Sequence, residues 1–361
     1  MLIDQCGMAQ ETTGPSSRIR VASWKPGAMD RWSDVVNSVQ HAHLAHAPEW
    51  FEAIQSAYGH TPLYIQAEDG EGRLGVLPAF LVRSRVFGTV VASMPFLDGG
   101  GPCAPTEGLA NAAAAALVEE ARRRGAGSVE LRSAVRLDLP VPAREDKVNL
   151  VLPLPADPAV LWKRLDARVR NQVRKAERSG LSIEFGHVEA LDAFYDVFAV
   201  NMRDLGSPVH GRVFFAALLE AFGKRARIGL VRKGPSVIGG LIALAFKDTL
   251  LVPWASSLRQ HLSLCPNILM YWEVLAAGCR EGFTRFDFGR STRESGTYRF
   301  KRQWGAEEVP LYWYQVSTRP GGARSLSATD SRGALLVSLW QRLPVGVSRL
   351  VGPRLRKYLT Q

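Results

Sequence analysis

One set of predicted elements occurs twice along the chain, and this duplication limits the possible folds more than any other feature. Apolar runs at 63–67 and 74–82 predict a β-hairpin, and runs at 228–232 and 237–246 predict another about 160 residues later. In both halves a third strand, a helix and a fourth strand follow, at 88–94, 109–124 and 128–132 and at 249–255, 267–281 and 285–288. Because this period is far longer than that of a solenoid repeat, we expect a duplicated α/β domain.

The 361 residues are enough for two lobes of ordinary domain size. The segment 140–154 contains prolines and shows no helical period, so we place the boundary between the lobes there. The predicted organisation is a disordered leader at 1–20, a first lobe at 21–150, a second lobe at 151–317 and a basic amphipathic tail at 318–361.

The formal charge of +11 is concentrated in the tail, where eight basic residues and one acid contribute +7. A large nucleic-acid-binding face on the rest of the chain is therefore not expected. The tail combines an apolar stripe with basic residues, which is typical of a segment that lies on an anionic membrane surface; the stripe consists of Leu335, Leu336, Leu339, Trp340 and Leu343. Docking of the tail on the body of the protein is the alternative.

No run of 18 apolar residues occurs, and the first 15 residues contain neither a base nor an apolar stretch. Neither a membrane-spanning helix nor a signal peptide is therefore expected. The four cysteines lie far apart, which indicates reduced thiols and no zinc or redox site. We expect a cytoplasmic protein that its tail can bring to the inner face of the membrane.

A helix is predicted at the start of the second lobe, beginning after Asp157 and ending at Gly180. Arg170 and Arg174 lie one turn apart at the edge between its apolar and basic faces. At that edge they either belong to a solvated surface or line a cleft between the lobes, where ligands commonly bind.

Several spaced motifs between about residues 45 and 316 resemble the FemAB family, and more narrowly the FemAB-like proteins associated with exosortase (PEP-CTERM) and exopolysaccharide loci. They occur at Tyr58–His60, Ser93–Gly100, Glu130–Arg132, Asn201–Pro208, Val252–Ser257, Phe286–Ser291 and Tyr298–Gly305. The resemblance implies an α/β (α+β) protein of two tandem GNAT-like lobes with mixed sheets.

FemAB enzymes transfer an amino acid from aminoacyl-tRNA to an amine of a lipid-linked peptidoglycan precursor, and related acetyltransferase-like enzymes use a thioester. The long helical arm of the tRNA-using members is not evident in this sequence. The resemblance therefore leaves two donors open, an acyl thioester (CoA or a carrier) and aminoacyl-tRNA. Nucleic acid is a partner only with the second donor, and no tightly bound cofactor is expected.

The resemblance points to Lys301 first, because it matches the lysine of a Phe-Lys pair that FemAB-like enzymes place near the reacting ester. A cation there can stabilise the oxyanion that forms when an amine attacks. Asp287 lies within an apolar strand, so it either pairs with an arginine for structure or belongs to the catalytic site. Arg290, Tyr298 and Arg299 follow the end of that strand, where α/β sheets place ligands, and are candidate contacts for phosphate or sugar groups.

Four further residues are candidates for substrate binding. Arg203 and Asp204 end a helix, where they either form an internal ion pair or recognise the acceptor. Trp254 belongs either to the core or to the wall of a sugar pocket. Asn267 opens the helix of the second lobe.

A metal site is not expected. His41, His43 and His46 lie close together, but we expect no acidic or cysteine partner for a metal ion beside them.

The function that these patterns favour is an N-acyltransferase or aminoacyltransferase. It would act on an amine of a cell-envelope, exopolysaccharide or peptidoglycan-type precursor, through direct attack of the amine on an ester or thioester. Two alternatives remain: a non-catalytic binding or scaffold protein of an exopolysaccharide assembly system, and a nucleic-acid-binding protein.

Overall fold

The computed structural model of the chain describes residues 19–23, 29–319 and 331–360. Its strands are β1 Arg20–Ser23, β2 Thr61–Pro62, β3 Ile65–Glu68, β4 Leu74–Leu77, β5 Phe80–Ser84, β6 Gly88–Ala92, β7 Ser128–Ser133, β8 Lys147–Pro153, β9 Leu181–Gly186, β10 Ala226–Lys233, β11 Ser236–Phe246, β12 Thr249–Ser257, β13 Arg285–Thr292, β14 Glu307–Pro310 and β15 Tyr312–Ser317. Its α-helices are α1 Met29–Ser38, α2 Glu49–Tyr58, α3 Glu107–Arg123, α4 Pro158–Arg164, α5 Ala167–Arg178, α6 Leu191–Asp204, α7 Arg212–Phe222, α8 Pro266–Arg280, α9 Gly296–Arg302, α10 Ser331–Gln341 and α11 Val345–Arg356. The predicted leader lies outside the described residues except for 19 and 20.

The strands form three sheets. A three-stranded sheet has the order β1-β3-β4, a five-stranded sheet the order β15-β7-β6-β5-β2, and a seven-stranded sheet the order β14-β8-β13-β12-β11-β10-β9. In the five-stranded sheet β5 and β6 are antiparallel, and β6 runs parallel to β7 with α3 between them in the chain. In the seven-stranded sheet β11 and β12 are antiparallel, and β12 runs parallel to β13 after α8. The duplicated α/β unit and the mixed sheets are confirmed. The strand predicted at 74–82 is wrong, because this segment forms two strands, β4 and β5, that belong to different sheets.

The chain crosses between the two larger sheets twice. Strand β8 spans the predicted boundary at 150/151 and lies between β13 and β14 in the seven-stranded sheet. Strand β15, within the segment predicted as the second lobe, pairs antiparallel with β7 of the five-stranded sheet. The division of the chain at 150/151 and 317/318 stays a prediction, and these two strands show how closely the halves are joined.

The predicted helix from 157 to 180 is two helices, so that expectation is wrong. Leu165 has an extended conformation with ψ 144°, and the side chain of Asp166 accepts a hydrogen bond from the backbone N–H of Arg168. This cap starts a new helix, α5, because it satisfies an N–H that would otherwise lack a partner. Both helices cover the seven-stranded sheet through an apolar side that includes Leu161, Val169 and Val173.

The largest apolar core contains residues from both halves of the chain. Trp50 on α2 is completely buried, and its ring centroid lies 5.0 Å from that of Phe222 on α7 and 6.5 Å from that of Trp254 on β12. Its indole N–H donates to the carbonyl of Leu44 at 2.9 Å. Since one core is shared, the two lobes pack as one body.

The end of the tail packs on this body. Gly352 on α11 lies so close to Val209 that an added Cβ would be 2.9 Å from a side-chain carbon. Farther on, the Thr360 hydroxyl donates to Glu130 Oε2 at 2.6 Å, and the backbone N–H of Phe96 donates to the Thr360 carbonyl at 2.8 Å. The structure therefore shows the docked arrangement of the tail, with residues 320–330 outside the described part.

No helix in the described part of the chain combines the length and apolar character needed to cross a membrane.

We predict that Trp50→Ala lowers the free energy of unfolding by about 3–5 kcal/mol, because it removes a fully buried aromatic ring. Urea denaturation followed by circular dichroism measures this. The control is Val86→Ala, at a side chain that is 83% exposed, where a change within about 0.5 kcal/mol is expected.

Hydrogen exchange of the Trp50→Ala variant should show β5–β7 and β10–β12 losing protection together. Loss confined to the first half of the chain would contradict a shared core.

Candidate functional site

Asp287 on β13 is buried, and three groups bind its carboxylate. His43 Nε2 lies 3.0 Å from Oδ2, the Asn149 side-chain amide donates to the same oxygen at 2.7 Å, and the backbone N–H of Gly289 donates to Oδ1 at 2.6 Å. The partner is therefore a histidine from the first half of the chain and not the neighbouring Arg285, which pairs with the exposed Asp248. Of the two interpretations of Asp287 that the sequence leaves open, the arginine pair is wrong, because Asp287 pairs with His43 and Arg285 pairs with Asp248.

The protonation of this pair follows from its surroundings. Burial alone would raise the pKa of Asp287, but the hydrogen bond and charge of His43, with the Gly289 and Asn149 donors, hold it below its usual range. Burial alone would lower the pKa of His43. The hydrogen bond to Asp287 and the negative charge of Asp287 outweigh the effect of burial, so the pKa of His43 is raised. The two residues form an ion pair that joins the halves of the chain, with Asp287 buried and His43 partly exposed.

A second ion pair lies next to the first. Arg290 Nε is 2.8 Å from Asp98 Oδ1, and the Arg290 backbone N–H donates to Asp98 Oδ2 at 3.1 Å. The Arg290 guanidinium also stacks on the Trp313 ring, 4.7 Å from its centroid, and the buried Arg132 lies at 5.0 Å from the same ring. Arg290 therefore holds the loop of Asp98 against β13.

Lys301 on α9 completes this group. Its ammonium donates to the carbonyls of Gly289 at 2.9 Å and Arg290 at 2.7 Å. Burial lowers the pKa of Lys301 to about 8, against partial opposition from the charges of Asp98 and Asp287. Two carbonyls occupy two of the three N–H groups of an ammonium, so one donor remains for a ligand. We call His43, Asp98, Asp287, Arg290 and Lys301 the interlobe cluster.

Gly289 is the point where these groups meet. Its φ is +73°, a conformation that favours glycine, and an added Cβ would lie 3.2 Å from Asp98 Oδ2 and 3.9 Å from Lys301 Nζ. The pairing register of β13 with β8 also shifts between Asp287 and Arg290. The Asp98 carboxylate and the Lys301 ammonium therefore both lie close to Gly289, at a β-bulge of β13.

Strands β12 and β13 diverge beside the cluster. Their parallel register covers only Thr249–Leu251 and Arg285–Asp287, although both strands continue beyond these residues. The first turn of α8 borders a groove of about 490 Å³ that also reaches α5 and α9; its polar lining includes Arg168, Gln172, Asn267, Arg299 and Gln303. We call it the α8 groove. Neither Lys301 nor Asp287 is among its lining residues.

A neighbouring groove of about 340 Å³ shares Asn267 and Leu262 with the first. It is lined by Asp204 and Arg259 as well. Asn267 accepts a hydrogen bond from the Ser257 hydroxyl at 2.6 Å, so it lies where the two grooves meet. Arg203 pairs with Asp204 at 2.6 Å and donates to the Leu343 carbonyl, which is the internal ion pair that the sequence allowed.

The remaining sequence candidates lie elsewhere. Arg170 is not among the lining residues of either groove, and the guanidinium of exposed Arg174 lies 5.6 Å from the Trp162 ring centroid. Tyr298 donates its hydroxyl hydrogen to Glu308. Trp254 is buried in the aromatic core, so we leave it out of the proposed site.

His46 has a structural role. His46 Nδ1 accepts from the backbone N–H of His43, its Nε2 lies 2.9 Å from the Gly101 carbonyl, and burial lowers its pKa to about 3. Across residues 19–23, 29–319 and 331–360, no group of three or more His, Cys, Asp and Glu side chains is placed to hold a metal ion.

Residues 163–302 match the acetyltransferase (GNAT) domain family. A tandem GNAT protein from the clavulanic acid biosynthesis pathway superposes with a TM-score of 0.54 at 13% identity, over 84% of this chain and 99% of that chain. The fold is a tandem GNAT fold. No curated protein sequence matches the chain.

Two other structures share the tandem GNAT fold of this chain. FemX superposes with a TM-score of 0.63 at 14% identity, over 82% of this chain and 97% of that chain. The C-terminal domain of a candidate lysylphosphatidylglycerol synthetase from Agrobacterium fabrum superposes with a TM-score of 0.52 at 11% identity, over 81% of this chain and 92% of that chain. At such identities the likeness concerns the fold, while the GNAT domain match supports an acyl- or aminoacyltransferase enzyme.

We predict that Asp287→Asn lowers the free energy of unfolding by about 3 kcal/mol, because it leaves the partly exposed His43 without its counter-charge. The loss should be largest between pH 3.8 and 6.5, the ordinary pKa values of the two groups. It should shrink as pH rises through the raised pKa of His43 or falls through the lowered pKa of Asp287. Thermal unfolding across pH measures it.

The matched control is Asp248→Asn, which breaks the exposed pair with Arg285 and should cost about 1 kcal/mol or less. A pH-independent loss in Asp287→Asn would show that the His43–Asp287 contact is not an ion pair.

We also predict that Lys301 reacts with a trace of acetic anhydride as a base of pKa about 8. Peptide mass spectrometry across pH measures the reactivity of each lysine, with the exposed Lys163 as internal reference. A midpoint for Lys301 at or above 10.5, the ordinary value, would contradict its burial in the cluster.

Proposed function

We propose that the chain is an N-acyltransferase or aminoacyltransferase that modifies an amine of a cell-envelope, exopolysaccharide or peptidoglycan-type precursor. The observation that carries the proposal is the partly buried Lys301 ammonium, fixed beside the divergence of β12 and β13 and retaining one free donor. Its setting within a segment that matches the GNAT domain supports the assignment.

The donor is expected at the diverging strands. Beyond Leu251 the backbone of β12 has no recorded β13 partner, so an extended donor chain with amide groups can pair with it as an added strand. The phosphates of such a donor would meet the N-terminus of α8, where the helix dipole favours negative charge, and the guanidiniums of Arg168 and Arg299. These features suit an acyl thioester of CoA or a carrier, and they leave room for the acceptor end of aminoacyl-tRNA.

The reaction needs no covalent enzyme intermediate. The acceptor nitrogen attacks the carbonyl carbon, a C–N bond forms, and the C–S or C–O bond to the donor breaks. The free N–H of Lys301 stabilises the negative oxygen of the tetrahedral intermediate, an interaction commonly worth about 3–4 kcal/mol. The nitrogen loses its proton to water, to the substrate or to a carboxylate of the cluster such as Asp287 or Asp98.

The acceptor is proposed to be a lipid-linked glycan or peptide precursor. The similarity in fold to FemX and to a candidate lysylphosphatidylglycerol synthetase supports an acceptor of this kind. Asp204, Arg203 and Asn267 lie at the second groove or beside it and are the residues we propose for acceptor recognition. We further propose that the enzyme acts in an exosortase-associated exopolysaccharide system on the cytoplasmic side of the membrane, because its sequence motifs resemble those of the FemAB-like proteins of such systems.

The test is complementation of a strain that lacks the gene, followed by untargeted mass spectrometry of its surface glycans and precursors. We predict that the deletion removes one acyl or aminoacyl mass and that the wild-type gene restores it. Lys301→Met should leave the modification at about one hundredth of the wild-type rate or less, because the oxyanion loses its donor. Lys301→Arg, which keeps the charge, should retain part of it.

Arg83→Met is the matched control, since it removes an exposed positive charge remote from both grooves. Full complementation by Lys301→Met would contradict the proposed catalysis and favour the scaffold alternative. Sensitivity of the lysate activity to ribonuclease separates the tRNA donor from the thioester donor.

A further inference from the structure

Both tail helices contact α6. Arg349 of α11 pairs with Asp196, and Arg203 donates to the carbonyl of Leu343, just after α10. Asp196 and Arg203 are seven residues apart, so they lie on the same side of α6. Both helices therefore pack on the same side of α6.

These outer faces carry large apolar side chains. We define the leucine face as Leu335, Leu336, Leu339, Val347 and Leu350, whose exposed fractions range from 41% to 63%. The same helices turn small or apolar residues inwards: Val337 approaches Gly206, and Ser348 and Gly352 are buried. The leucines are thus not needed for docking the tail, and several large apolar side chains left exposed on two neighbouring segments of the chain indicate a binding partner.

The charge around the leucine face is positive. Arg342 and Arg354 are exposed beside it, and no acid occurs between residues 331 and 361. The nearby acids Asp196 and Asp204 are already paired with Arg349 and Arg203. Leucines flanked by unneutralised arginines match a surface with an apolar interior and a negatively charged boundary.

We propose that the leucine face binds the surface of an anionic lipid bilayer while the tail stays docked on the body. A second copy of the chain fits this face less well, because a two-fold contact would bring the same arginines against each other. The binding element is then a preassembled surface of the folded protein and not a tail that detaches to enter the membrane.

The contacts at the chain end fix this surface relative to the interlobe cluster. The Thr360 hydroxyl donates to Glu130 Oε2, and Glu130 Oε2 in turn lies 3.0 Å from Arg132 Nη2. Arg132 shares the Trp313 ring with Arg290 of the cluster. A bilayer bound at the leucine face would therefore meet the enzyme in one orientation. The inference does not require the transferase function.

The experiment is co-sedimentation of the full-length chain with vesicles of phosphatidylglycerol and phosphatidylcholine, and with vesicles of phosphatidylcholine alone. We expect binding to the anionic vesicles that weakens as salt is raised. Leu336→Glu with Leu339→Glu should weaken it at least about tenfold, because two apolar contacts are replaced by charges that the surface repels. Arg342→Gln with Arg354→Gln should weaken it roughly ten- to thirtyfold.

The matched control is Val86→Glu, which places one acid at an exposed apolar residue of the β5–β6 turn and should leave vesicle binding unchanged. All substituted residues are exposed, so thermal unfolding should be unaltered in every variant. The proposal is overturned if the wild type does not sediment with anionic vesicles at low salt, or if both double variants bind as the wild type does. It is also overturned if the wild type is a dimer in solution that Leu336→Glu with Leu339→Glu converts to monomers.

Discussion

The divergence of β12 and β13 is the constraint on which the rest of the site depends. Two parallel neighbours that separate after three residue pairs leave backbone groups without ladder partners, and such groups must be satisfied in a folded protein. Lys301 satisfies two of them at Gly289 and Arg290. Its depressed pKa is the consequence, since an ammonium placed there is withdrawn from water. The Lys301 side chain therefore both binds these two carbonyls and supplies the proposed donor for the oxyanion.

The interlobe cluster also determines how the two halves meet. Both of its ion pairs join a residue from the first half of the chain, His43 or Asp98, to a residue on β13. A buried ion pair contributes little net stability, because desolvation offsets most of the attraction, but it penalises any arrangement that separates the partners. The pairs thus act mainly on geometry: they hold the loop of Asp98 at Gly289, beside the one free donor of Lys301.

Local patterns in the sequence were sufficient for the duplicated hairpin–strand–helix–strand unit, because hydrophobic period and turn residues act within a few positions. They did not reveal that β15 joins the five-stranded sheet, since this pairing connects positions about 180 residues apart in sequence. The break between α4 and α5 depended on one side chain, the Asp166 cap. The His43–Asp287 pair had no local signal at all, because its partners are 244 positions apart.

The charge of the tail is another property that the sequence alone does not determine, because pairing with distant residues changes it. Its basic residues, counted together in the sequence, suggest a uniformly positive segment. In the structure Arg349 is paired with Asp196, and Arg356 donates to His210 with its pKa lowered by burial to about 10. Only some of the guanidiniums, Arg342 and Arg354 among them, remain exposed beside the leucines. The field that the tail helices offer to a partner is therefore weaker than the formal charge implies.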